Sequence, residues 1–70
     1  MSATITITAN GQSHAVPAGQ TLEAFLASVG QKLKLVVVEK NRQALTPNEA
    51  RQTVLQNGDV LEIVRIVAGG

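Results

Sequence analysis

The chain has 70 residues, a formal net charge of +1, no cysteine, and a single aromatic, Phe25, in a composition that is 44% hydrophobic. That length makes one domain near the lower limit for folding on burial alone. Neither disulfides nor a thiolate metal site can assist it, so the core must be built from Ile, Val, Leu and Ala. The cations Lys32, Lys34, Lys40, Arg42, Arg51 and Arg65 are scattered, and without a basic block or aromatic stacking platforms no nucleic-acid partner is expected. Met1-Ser2-Ala3-Thr4 lacks the regions of a signal peptide, and no apolar run is long enough to span a bilayer. A cytoplasmic location with no membrane partner is the expectation.

Thr4-Ile5-Thr6-Ile7-Thr8 alternates polar and β-branched residues, the period of a half-buried strand. Asn10-Gly11 follows, a pair that tolerates positive φ at both centres of a type I′ hairpin turn. A two-residue loop there pairs Ala9 with Gln12, Ile7 with His14 and Ile5 with Val16. His14 is the lone histidine, and with no second ligand or nucleophile near it in sequence it reads as a surface or edge residue rather than a metal ligand.

Pro17 ends the second strand and Ala18-Gly19-Gln20 turns the chain. Thr21 is placed to cap a helix, and Glu23 sits in the first turn, where the helix dipole favours an anion. Leu22, Phe25, Leu26 and Val29 share one helical face, and Gly30 suits the C′ position. In so small a domain, that stripe belongs to the core.

Leu35-Val36-Val37-Val38 is apolar throughout, so both faces of a third strand should meet something other than bulk water. Asn41-Arg42-Gln43 turns out of it, Ala44-Leu45 suits a short edge strand, and Thr46-Pro47-Asn48-Glu49 breaks the chain again. Residues 50–56 are ambiguous, with one helical turn burying Val54 or Leu55 as one reading. Asn57-Gly58-Asp59 turns into a last strand, Val60 to Val67, rich in β-branched residues. Strand, strand, helix, strand, short strand, turn, strand predicts an α+β chain. Its arrangement is the β-grasp (ubiquitin-like), a mixed four- to five-stranded sheet with one main helix across one face. The domain is read as residues 1–67, followed by a tail, 68–70, ending in Gly-Gly.

One helix covers one side of a sheet, so the other side should be polar. Thr4, Thr6 and Thr8 fit that. In the last strand, Leu61 and Ile63 form one face while Glu62, Val64 and Ile66 form the other. In the third, Lys34 and Lys40 share parity with Val36 and Val38 and pull them outward, which sends Leu35 and Val37 to the core. An exposed patch of Val36, Val38, Val64 and Ile66, rimmed by Lys40 and Arg65, is the resulting expectation. A contiguous patch of this kind marks a partner surface.

Ala68-Gly69-Gly70 has almost no side chain to pack. A bare backbone ending in a free carboxylate can enter a channel too narrow for side chains, although a frayed terminus gives the same composition. These features resemble the ubiquitin-like sulfur carriers, most closely the ThiS type of thiamine thiazole synthesis. The resemblance rests on Asn10-Gly11, Pro17-Ala18-Gly19-Gln20-Thr21-Leu22, Val37-Val38-Glu39-Lys40-Asn41, and Asn57-Gly58-Asp59-Val60-Leu61-Glu62-Ile63-Val64 followed by Val67-Ala68-Gly69-Gly70. The chain departs from the pattern at Arg42, where members often carry glycine, and at Leu45-Thr46-Pro47, where a Val-Pro pair is common.

The resemblance implies a co-substrate rather than an enzyme. A partner activating enzyme would adenylate the Gly70 carboxylate with ATP and Mg²⁺, and no cofactor would be bound by the chain itself. Sulfur from a cysteine desulfurase relay would displace AMP, leaving a thiocarboxylate for thiazole synthase. Ala68 and Gly69 would thread the tail, and the patch would dock the enzyme that receives it. Carriers for molybdopterin, tRNA thiolation or amino-acid synthesis share the tail. A plain β-grasp interaction module and a ubiquitin-like modifier joined to lysines stay open as well.

Overall fold

A computed structural model of the protein describes residues 3–67. The elements are β1 (Thr4–Ala9), β2 (Gln12–Pro17), α1 (Leu22–Ser28), a 3₁₀ turn (Leu33–Leu35), β3 (Val36–Lys40), β4 (Gln43–Ala44), α2 (Pro47–Gln52) and β5 (Val60–Arg65). The five strands form one sheet in the order β2-β1-β5-β3-β4. β5 runs parallel to β1 and antiparallel to β3. The last strand is therefore the central one.

Local chemistry sets most of these elements. Asn10 and Gly11 have φ of 50° and 81°, and the hairpin register pairs Ala9 with Gln12, Ile7 with His14 and Ile5 with Val16, as the Asn-Gly turn predicts. The Thr21 hydroxyl accepts from the Ala24 N–H at 3.1 Å and opens α1. Gly30, at φ 79°, closes it, its N–H donating to Ala27 O at 3.1 Å while the Gln31 N–H donates to Leu26 O at 2.8 Å. Those two bonds satisfy carbonyls that the helix end would otherwise leave bare. Leu22, Phe25 and Leu26 of α1 are buried against Ile7, Val16, Val38 and Leu61 of the sheet. Val29, expected on the same stripe, is the C-cap residue and is exposed, because the helix stops one residue before it.

His14 lies on the helix-facing side of the edge strand β2, half-buried. Its ring meets the Phe25 ring edge to face, with centroids 5.1 Å apart and planes at 78°. The expected edge position is observed, and the lone histidine packs there against the lone aromatic.

Two further expectations fail for identifiable reasons. Val36 and Val38 are 8% and 2% exposed and belong to the core, whereas Val37 is 49% and Leu35 39% exposed. Lys34 and Leu35 lie in the 3₁₀ turn, not the strand, so Lys34 carries no information about strand parity. Lys40 does share parity with Val36 and Val38, but it stands at the strand's end, half-buried opposite Leu61, where its ammonium can reach water along its stem. The second failure is Thr46-Pro47-Asn48-Glu49, read as a break. It is the start of α2: the Glu49 N–H donates to the Thr46 hydroxyl at 3.1 Å, and the Thr46 N–H donates to the Glu49 carboxylate at 2.8 Å. This capping box, with proline at the first helical position, is a start signal. Beyond α2, Leu55 is buried and Val54 exposed.

Candidate functional site

Asn10 and Asn41 bond β5 itself, and Asn57 ties the turn before it to β1. β1 pairs with β5 only at Thr8↔Val60 and Ala9↔Leu61 before the chain turns away. Asn10 then continues the ladder with its side chain. Its backbone N–H donates to Leu61 O at 2.9 Å. Its carboxamide Oδ1 accepts from the Ile63 N–H at 2.7 Å, and its Nδ2 donates to Ile63 O at 3.0 Å. One carboxamide thus substitutes for the next residue of a neighbouring strand.

In the turn before β5, the Asn57 Oδ1 accepts from the Thr6 N–H at 2.9 Å. On the opposite flank, the Asn41 Oδ1 accepts from the Val60 N–H at 2.9 Å, and its Nδ2 donates to Asp59 Oδ1 at 3.0 Å. Asp59, 6% exposed, takes a further bond at Oδ2 from the Gln56 N–H at 2.8 Å. A buried carboxylate needs such donors. The turn 56–59 is closed by the Asp59 N–H donating to Gln56 O, with Gly58 at φ 87° supplying the conformation a side chain disfavours.

At its far end, β5 passes Arg65, and the Ile66 N–H donates to Leu35 O at 2.8 Å. Val67 is 85% exposed. Ala68, Gly69 and Gly70, the residues expected to thread and carry the modification, lie outside the described residues.

The open face beside this end differs from the expected patch. Val64 and Ile66 are 63% and 52% exposed, as the alternation of β5 requires. Val36 and Val38 are absent from it, for the reason given above. Val37 takes their place, directly opposite Val64. Lys40 and Arg65 do not rim it either: they stand opposite Leu61 and Val36, on the helix-facing side. The neighbouring pair on the open face is instead Glu39 opposite Glu62, both exposed. The face at the base of the tail is thus apolar with an acidic border.

Among the described residues there is no group of three or more His, Cys, Asp or Glu side chains that could hold a metal ion. No helix among them is long and apolar enough to cross a membrane. What this region offers is a strand held on both flanks, with an apolar face beside its last residues.

A five-stranded sheet of order 2-1-5-3-4 with a parallel central pair and a main helix on one face defines a β-grasp, ubiquitin-like domain. A solved structure of a thiamine biosynthesis protein (ThiS) from Geobacter metallireducens has the same fold, with a TM-score of 0.76 and 23% identity over 94% of this chain and 100% of that one. The model of the ThiS family matches residues 3–70. The sulfur carrier protein ThiS of Thermus thermophilus is 38% identical over 52 residues, 74% of this chain and 81% of that protein. A thiazole synthase of Magnetococcus marinus is 36% identical over 61 residues, 87% of this chain but 19% of the synthase, so the chain spans about a fifth of that relative. The chain belongs to the ThiS family.

Proposed function

We propose that the chain is a sulfur carrier of thiamine thiazole biosynthesis, acting as a co-substrate whose reactive group is the Gly70 carboxylate. The observation that carries this reading is the family match, which runs through residue 70 and so includes the Ala68-Gly69-Gly70 segment. The clamped β5 supports it, because presenting a reactive group to a partner's active site gains from a fixed base.

A carboxylate is a poor acyl donor until it bears a good leaving group. In the proposed sequence, the Gly70 carboxylate attacks the α-phosphorus of ATP in an activating enzyme that holds Mg²⁺, and pyrophosphate departs. The terminal sulfur of a persulfide supplied by a cysteine desulfurase relay then displaces AMP to form an acyl disulfide. A thiol cleaves its S–S bond, becoming a disulfide itself and releasing the thiocarboxylate. Gly69 and Ala68 present minimal bulk to the channel. The thiazole synthase that carries a segment 36% identical to this chain supports the assignment of the consumer, since joining carrier to consumer in one polypeptide is what a working pair permits. Val37, Val64 and Ile66 are the residues proposed to dock the activating enzyme.

Intact-mass measurement after incubation with the activating enzyme, ATP, Mg²⁺ and a sulfur source tests the reading. The expected product is heavier by one oxygen-to-sulfur exchange at Gly70. Unchanged mass, with an activating enzyme shown to be active on another carrier, would overturn it.

A further inference from the structure

The helix-facing side carries a second surface unlike the first. A groove of about 650 Å³ runs between α1, the 3₁₀ turn, β3 and α2, a volume typical of binding clefts. Leu33, Val36, Leu45 and Ala50 give it an apolar lining, and Val37 and Ile66, shared with the open face, border it where the chain leaves the sheet. Its charged lining is one-sided: Lys32, Lys34 and Arg51 against the single anion Glu23. The open face of the sheet, with Glu39 and Glu62, has the opposite sign.

The groove also follows an incomplete strand edge. β4 has two residues and pairs with Glu39 and Lys40 alone. The next bond is the Leu45 N–H to Val38 O at 2.9 Å. Backbone groups along a strand alternate in direction, so Val36 points its N–H and C=O the same way as Val38. Among the described residues, no strand lies opposite Val36 on that side. A strand edge without a paired strand, beside an apolar trough, is the kind of template that an added strand uses.

We propose that this groove receives an extended, acidic segment of a partner protein, laid along β3 at Val36, with an apolar side chain over Leu33 and Leu45 and carboxylates toward Lys34 and Arg51. The inference rests on the sulfur-carrier reading, in which the enzyme that activates the tail and the enzyme that consumes it must both engage one small chain. Two surfaces of opposite charge, which meet at Val37 and Ile66, let those two partners differ in the charged residues they recognise. A second copy of the chain fits poorly: its acidic surface is the flat open face, and a groove-to-face contact would be heterologous and build an open series rather than a closed dimer.

The test uses the full chain and its two enzymes, with the double substitution Lys34→Glu/Arg51→Glu compared against Val64→Asp. Both steps are measured: thiocarboxylate formation, and sulfur transfer to the synthase. The groove variant should slow one step by about tenfold or more at low salt and spare the other, with Val64→Asp striking the step that the groove variant spares. In the affected complex of the unsubstituted chain, hydrogen exchange at the Val36 amide should slow. Equal rates for the groove variant in both steps, or loss of the same step by both variants, would overturn the proposal. So would self-association of the unsubstituted chain that Lys34→Glu/Arg51→Glu abolishes, since a second copy would then fill the groove. Failure of the unsubstituted chain to form any thiocarboxylate would instead sink the carrier reading beneath it.

Discussion

Arg42 and Asn10 both hold positive φ, at 70° and 50°, with opposite consequences. Arg42 is the second residue of a two-residue loop between Lys40 and Gln43, and the left-handed region costs a residue with a Cβ about 1–2 kcal/mol. Glycine pays part of that back in unfolded-state entropy, about 0.5–1 kcal/mol. Arg42→Gly should therefore raise stability by roughly 0.5–1 kcal/mol, seen as a higher urea midpoint with an unchanged slope. A lower midpoint would mean that the arginine side chain stabilises the turn by more than its backbone strains it. Asn10 also has a side-chain task. Asn10→Gly keeps the turn conformation and deletes only the two bonds to Ile63, so it should cost about 1–2 kcal/mol. Hydrogen exchange should accelerate at the Ile63 amide, which faces Asn10. The Val64 amide faces β3 and should stay protected. The Asn-Gly pair announced its turn in the sequence, but not this second role, because a carboxamide reaching a strand 53 residues away depends on the sheet order rather than on neighbours in the chain.

The elements show where local reading succeeds and where it stops. The first hairpin and α1 were legible because each is specified by residues within a few positions of one another: Asn10-Gly11 for the turn, Thr21 and Gly30 for the helix ends. β3 was not, because four consecutive apolar residues contain no alternation, and the flanking lysines were an unsafe guide. Lys34 lies outside the strand, and Lys40 is long enough to stand on the buried side at its end. The valines therefore separate two accounts of the same sequence. Val36→Asp places a carboxylate at a site 8% exposed and should unfold a domain of this size, since a buried unpaired charge costs several kcal/mol against a total of about 5–15. Val37→Asp, at 49% exposed, should leave the far-ultraviolet circular dichroism intact. The reverse outcome would restore the parity first expected. The start of α2 was legible in principle, since Thr46 and Glu49 stand at capping-box spacing. Removing it with Thr46→Ala should cost about 1 kcal/mol.

For the molecule as a whole, these details separate the core from the open face of the sheet. The core is made of Ile7, Leu22, Phe25, Leu26, Val38, Leu55 and Leu61, all on the helix-facing side. The open face contributes little to it, so residues there are free to be chosen for partners. That separation is what permits a small protein to carry exposed valines and a directly opposed glutamate pair, the latter an arrangement that destabilises a sheet. It also fixes how function should fail. Val64→Asp and Ile66→Asp alter only exposed positions, so each should keep the fold while abolishing the complex with the activating enzyme; unchanged binding in both would remove the open face from the account. A single alanine added after Gly70 changes no residue of the core or of the open face. It leaves the residues of the open face, of the groove and of the clamps at Asn10, Asn41 and Asn57 as they are, and moves the carboxylate by one residue onto a group with a Cβ. If the chemistry resides at Gly70, this variant should bind the activating enzyme as tightly as before yet form no thiocarboxylate, a split between affinity and conversion that damage to the scaffold cannot produce. Conversion of the extended chain without trimming would move the reactive group away from Gly70.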